Sequence, residues 1–137
     1  MDNEKEQQVK EISIKSDEDV IFVRQEVRNL AKQMGLSLLE QTRIVTAASE
    51  LGRNIVVHAR EGKAFLIKVE KGDRQGLKIV FRDKGPGIPD VQKALEEGFS
   101  TVGSLGLGLP GARRLVDDFA IESSPLEGTT VIIIKWR

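Results

Sequence analysis

Apolar and polar positions change period several times along this chain of 137 residues, and each change marks an element. After a polar lead over residues 1–8, Val9, Ile12 and Ile14 carry the spacing of a first strand. Val20, Val23, Val27, Leu30 and Met34 then recur every three or four positions, which lines them along one face of a helix ending at Met34. Ser16 or Asp17 can cap its start, and Gly35 suits its exit. Ser37 caps a second helix from residue 38 to about 59, striped by Ile44, Ala48, Leu51 and Ile55. Phe65, Ile67 and Val69 alternate with Lys68 and Glu70, and Leu77, Ile79 and Phe81 alternate again, so a turn over 71–76 makes a hairpin. A breaker-rich loop, DKGPGIPD, leads to a short helix near 91–97 and a Gly-rich stretch over 98–108. Pro110 fits the first turn of a helix running to Phe119, where its missing N–H has no partner to lose. Residues 120–124 and 129–136 close the chain as a second hairpin. This order predicts one α/β domain over 1–137, a two-layer sandwich in which a mixed, mostly antiparallel sheet carries helices on one face.

Charge and composition narrow the chemistry. Lys plus Arg and Asp plus Glu each total 21, so the net charge is zero and nothing draws the chain globally to nucleic acid or anionic lipid. With no Cys, thiolate catalysis and Cys-ligated metals are out; one His, His58, cannot make a multi-His metal site. The longest aliphatic run, Val131 to Ile134, is too short for a membrane span, and the expected location is the cytoplasm.

Three clusters carry candidate chemistry. Glu50 and Asn54 stand four apart on the second helix and project from one side of it. A carboxylate there can take a proton from a nucleophile or align water, and an amide oxygen suits Mg2+, which keeps few protein ligands. Alone, the pair reads as two solvated polar residues. Asp83, Gly85 and Gly87 follow a strand directly, offering close backbone approach and an acceptor for a donor such as the adenine amino group; alone, they read as a turn steadied by Asp83. Gly103, Gly106 and Gly108 precede the helix opened by Pro110, where unpaired N–H groups can face phosphate; alone, they read as a surface loop. The spacing is neither the dinucleotide fingerprint nor a Walker loop.

Taken in order, ELxxN on a helix, DxGxG after a strand, GLGLP before a helix, then Gly128 and Thr129 entering the last strand, the clusters resemble the GHKL ATPase/kinase family. The resemblance covers the chain from about Glu50 to Trp136 and implies the Bergerat α/β sandwich, with ATP and Mg2+ held under a mobile lid. Carried over residue by residue, Glu50 is the general base, Asn54 the Mg2+ ligand and Asp83 the adenine acceptor. Gly85 and Gly87 form the base-pocket loop. Gly103, Gly106 and Gly108 cradle phosphate, Thr129 reaches adenine through water, and Ile88, Leu107 and Leu109 belong to the same nucleotide pocket. Residues 98–105 match a very short lid.

These 137 residues hold no phosphoacceptor-bearing dimerisation helix, so a full sensor histidine kinase is not expected, nor are gyrase, mismatch-repair or chaperone chains with their transducing domains. The runs SELGRNIVVHA, GLKIVFRDKGPGIPD, EEGFSTVGSLGLGLPGARRLVDDF and IKWR look closest to the stressosome switch kinases of this family. That likeness implies a serine/threonine kinase of a stress-response partner-switching system, phosphorylating STAS-domain scaffold proteins and, once released, activating a PP2C-type phosphatase. Anti-sigma factor kinases, the near neighbours, usually place an Arg in the lid. Residues 98–111 contain no Lys or Arg, so Arg53 is the candidate for meeting γ-phosphate charge, with Lys84 and Arg113 behind it. Two rivals keep the fold: a module that binds ATP only to sequester a partner, and an ATPase without a protein acceptor. His58 is expected as a partly buried helix-end histidine, Trp136 as packing, and Arg113, Arg114, Asp117 and Asp118 as a solvated helix face.

Overall fold

The strand alternations read above divide between the two faces of the sheet: Leu77, Ile79 and Phe81 meet the helices, whereas Phe65, Ile67 and Val69 point to the opposite face, leaving Ala64 and Leu66 to the helices. A computed structural model describes residues 4–87 and 108–137. In chain order they form β1 (Glu4–Ile14), α1 (Asp17–Gln33), α2 (Leu38–Asn54) continued by a π-helical turn (Ile55–Ala59), β2 (Gly62–Lys71), β3 (Arg74–Asp83), α3 (Leu109–Leu115), β4 (Asp118–Ser124) and β5 (Gly128–Trp136). The five strands make one sheet in the order β1-β2-β3-β5-β4. The two-layer α/β sandwich forms as expected, with every pairing between described strands antiparallel. The cause is that α1 and α2 carry the chain out and back, so β2 begins opposite the end of β1, Ile14 beside Gly62.

Both long helices start where their caps lie. The Asp19 N–H donates to Ser16 Oγ at 3.3 Å, and Ser37 and Glu40 exchange the two bonds of a capping box at 3.1 and 2.7 Å. Val20, Val23, Val27 and Leu30 of α1, with Ile44, Ala48 and Leu51 of α2, pack against Ile12, Ile14, Ala64, Leu66, Leu77, Ile79, Phe81, Val131 and Ile133 of the sheet. A smaller cluster, Ile67, Val69, Val80 and Trp136, lies on the sheet's other face. There the indole of Trp136 covers Gly76, donates its N–H to Asp118 at 2.7 Å, and carries the Arg74 guanidinium 4.4 Å above its ring. Trp136 is therefore packing, as expected.

Several boundaries differ from the sequence reading, each for a tertiary reason. β1 begins at Glu4, inside the supposed polar lead, because its outer half pairs with β2 and Glu6 meets Lys78 at 3.0 Å. The register shifts between Gln8 and Lys10, which leaves Val9 exposed at a bulge. The first hairpin is tighter than the expected turn over 71–76: Lys71 pairs with Arg74, leaving two residues between the strands. α2 does not run on as an α-helix to 59, since its last five residues open into the π-turn. α3 stops at Leu115, where Val116 is extended (φ −122°, ψ 164°), so Phe119 belongs to β4.

Asp117 and Asp118 consequently leave the helix face predicted for them. Asp117 accepts from the Trp136 N–H at 2.7 Å and from the Lys135 ammonium at 3.0 Å. Burial alone raises the Asp117 carboxyl, but those two donors outweigh it and hold the group below its ordinary value. Glu40 is likewise held below the usual carboxylate range, chiefly by the backbone N–H of Ser37. The expected short helix near 91–97 and the stretch over 98–107 lie outside the described residues.

Candidate functional site

Glu50 and Asn54 occupy the last turns of α2, the helix that packs most directly on α3. Gly108, the N-cap of α3 with φ 61°, comes so close to Glu50 that a Cβ built on it would lie 2.6 Å from Glu50 Oε2. A glycine at that point is required twice, by conformation and by the carboxylate in front of it. Residues 58 apart in sequence thus form one end of the candidate site, a carboxylate facing bare backbone with an amide one turn farther along.

The other end forms where β3 leaves the sheet. Asp83 stands between Gly62 of β2 and Thr129 of β5 in the strand register. Its Oδ1 accepts the N–H of Gly85 at 2.8 Å, which holds the carboxylate over its own loop. Thr129 Oγ1 and Ser123 Oγ lie 2.8 Å apart on the neighbouring strands. Gly128 packs on the Asp83 carbonyl and Gly87 on the Ser124 carbonyl, so the loop is clamped to the β4–β5 hairpin. The structure thereby brings Asp83, Gly85, Gly87 and Thr129 together, and separately Glu50 and Gly108.

The π-turn joins the two ends. It begins directly after Asn54 and ends at Arg60, the one non-glycine residue among those described with a positive φ, 74°. Turns of this kind are uncommon and concentrate at functional sites. Through it Ala59 reaches Gly85: a Cβ on Gly85 would lie 2.6 Å from the Ala59 Cβ. Nothing in the periodicity of residues 38–59 marks this turn, and neither Ala59 nor Ser123 stands out in the sequence; their partners are remote along the chain.

The remaining candidates fall as follows. Arg53 is exposed in the last turn of α2, and Lys84 and Arg113 are also exposed. Leu109 is buried in the main core at 1% exposure, so what it can present to a nucleotide is its backbone. His58 is exposed within the π-turn, not partly buried, because the widened turn carries it to the surface. Ile88, Gly103, Gly106 and Leu107 lie outside the described residues. Beside the end of β3, on the face away from α2, a groove of about 490 Å³ is lined by Lys15, Lys63, Phe65, Arg82 and Lys84. Much of its charge is already engaged: Lys63 meets Glu11 at 3.0 Å, Lys15 meets Glu61 at 4.0 Å, and Arg82 lies 5.5 Å over the Phe65 ring.

A family described as the histidine kinase-like ATPase domain matches residues 15–135. Over 125 residues the chain is 46% identical to the serine/threonine-protein kinase RsbT of Bacillus subtilis, covering 91% of this chain and 94% of that one. It is 30% identical to an anti-sigma F factor of Thermoanaerobacter sp. over 84% of this chain and 83% of the relative. The anti-sigma F factor of Bacillus subtilis is 33% identical, with 83% and 82% covered.

Proposed function

This chain belongs to the histidine kinase-like ATPase family, and from that premise we propose that it is an ATP-dependent serine/threonine protein kinase of a partner-switching system. The observation that carries the proposal is the station of Glu50 against Gly108, one turn from Asn54 and linked through the π-turn to Asp83 and its loop. A sequestering module has no use for a base held open in this way.

ATP is the substrate. One oxygen of Asp83 takes the Gly85 N–H, and the carboxylate has a second with which to accept the exocyclic amino group of adenine. Thr129, Gly87 and Ile88 complete the base pocket, while Gly103, Gly106, Leu107, Gly108 and Leu109 offer backbone to the phosphates. Arg53 supplies the cation toward the γ-phosphate. Glu50 accepts the proton of an incoming Ser or Thr hydroxyl as its oxygen bonds to the γ-phosphorus. The bond from that phosphorus to the β,γ-bridging oxygen breaks, and ADP leaves.

Magnesium fits the donor set. Among the described residues no three His, Cys, Asp or Glu side chains cluster to hold a metal, and Mg2+ takes few protein oxygens, filling its shell with water and substrate phosphate. Asn54 would hold it through its amide oxygen. When bound, the ion neutralises phosphate charge.

The phosphoacceptors we propose are STAS-domain scaffold proteins of a stressosome, and the output after release a PP2C-type phosphatase. The working location is the cytoplasm; among the described residues no helix is long and apolar enough to cross a membrane. A second reading, a kinase that holds a sigma factor, draws on the anti-sigma F relatives, but at 30–33% identity against 46% it ranks behind. The test is transfer of labelled γ-phosphate from Mg-ATP to a panel of purified STAS-domain proteins, with Glu50→Gln as control. Labelled acceptor with the parent chain and a loss of about 10²–10⁴-fold in the variant is the expected result. Nucleotide binding with no labelled acceptor across the panel would sink the kinase reading.

A further inference from the structure

Gly85 differs from Gly87, Gly108 and Gly128, the other described glycines of the two clusters, in why it must be small. It has no positive φ, so its backbone is open to any residue; what forbids a side chain is the space. A Cβ there would sit 2.6 Å from the Ala59 Cβ, 2.9 Å from the Ala59 Cα and 3.1 Å from Asp83 Oδ1, all inside ordinary contact distance. Ala59 is itself carried to this point by the π-turn, and the next residue, Arg60, holds a strained φ of 74°. Gly85 in turn donates its N–H to Asp83 at 2.8 Å. A contiguous chain of contacts therefore runs from the end of α2 to the Asp83 carboxylate: methyl group, glycine, N–H, carboxylate oxygen.

We propose that Ala59 is a positioning residue for nucleotide recognition: its methyl group, seated on Gly85, sets where Asp83 holds its carboxylate and so the selectivity for adenine. Ala59 acts without touching the nucleotide. A larger side chain at 59 pushes Gly85 outward, the Gly85 N–H drags the carboxylate with it, and the acceptor moves off the adenine amino group. Charged hydrogen bonds depend steeply on geometry, so a displacement of a few tenths of an ångström is enough to weaken this one. Because the same turn begins directly after Asn54, it connects the metal-side and base-side ends of the site. The proposal rests on Asp83 being the adenine acceptor.

The test compares binding of ADP and IDP by calorimetry; IDP lacks the exocyclic amino group that Asp83 would accept from. Ala59→Val and Gly85→Ala are each expected to weaken ADP by about tenfold while changing IDP by less than about twofold, collapsing the preference between the two. The swap Ala59→Gly with Gly85→Ala removes the methyl that obstructs residue 85. It leaves a 2.9 Å approach to the residue 59 Cα, so the swap should recover only part of the loss, with ADP affinity between that of Gly85→Ala and that of the parent chain. Equal loss of both nucleotides would mark general damage to the pocket and overturn the proposal, as would an unrescued swap or unchanged ADP affinity. Asp83→Asn separates the two levels. If it weakens ADP and spares IDP while Ala59→Val does nothing, only the role of Ala59 falls; if Asp83→Asn changes neither, the adenine-acceptor reading falls and the proposal with it.

Discussion

Gly108→Ala is the substitution whose consequences the structure specifies most closely. Gly108 adopts φ 61°, a left-handed conformation that costs an L-residue about 1–2 kcal/mol. The new methyl would also lie 2.6 Å from Glu50 Oε2, closer than real contacts allow, so something must give. Since that oxygen ends a flexible and exposed side chain, the carboxylate swings away and the steric part adds little to the folding cost. Stability should therefore drop by about 1–2 kcal/mol, which for a chain of this size lowers Tm by about 3–7 °C. Phosphoryl transfer should fall much further, by about 10²–10⁴-fold, because the displaced group is the proposed base. Thermal denaturation followed by calorimetry reads the first quantity, and transfer of labelled γ-phosphate to an acceptor reads the second. The decisive arm is the double variant with Glu50→Gln: with no base left to displace, the further loss from Gly108→Ala should be at least about tenfold smaller than in the parent chain, leaving only what its backbone contributes at the phosphates. If the two losses multiply, or if Gly108→Ala alone transfers phosphate at the parent rate, the coupling between Gly108 and Glu50 is not what the reaction uses.

Two further predictions concern the face of the sheet away from the helices. Trp136 is 8% exposed, so Trp136→Ala should cost about 3–5 kcal/mol in chemical denaturation, and a loss below about 1 kcal/mol would show that this cluster contributes little. Asp117 is held below its ordinary value of 3.8 in the folded chain, so its contribution is fully present above that pH and is lost as the pH falls through the lower folded value. The stability difference between the parent chain and Asp117→Asn should accordingly be largest near neutrality and shrink below about pH 3.8; a difference independent of pH would contradict the pairing with Trp136 and Lys135.

Much of the fold was legible in local pattern. The 3.6-residue stripe from Val20 to Leu30 and the two-residue alternation from Leu77 to Phe81 each report a face turned to the core, and the residues that report it are the ones found buried. Ser16 and Ser37 mark helix starts because their hydroxyls act within a few residues of themselves. The polar half of β1 was missed for the converse reason: its strand state is imposed by the β2 edge it pairs with, and its own alternation is too charged to announce it.

The candidate site divides in the same way. Glu50, Asn54, Asp83 and the glycines could be picked out because each cluster is a short run with its own chemistry, and their order along the chain was enough to place it in a family. Only the tertiary structure decided that Gly108 faces Glu50, that Asp117 and Asp118 serve Trp136 instead of a helix surface, and that Ala59 bears on Gly85. In each of these cases the residue's partner lies well away from it in sequence, and the contact exists because packed elements leave no other room. Local propensity acts over a few residues and can be read along a line; close approach between remote residues is a property of volume, and it takes the folded chain to set it.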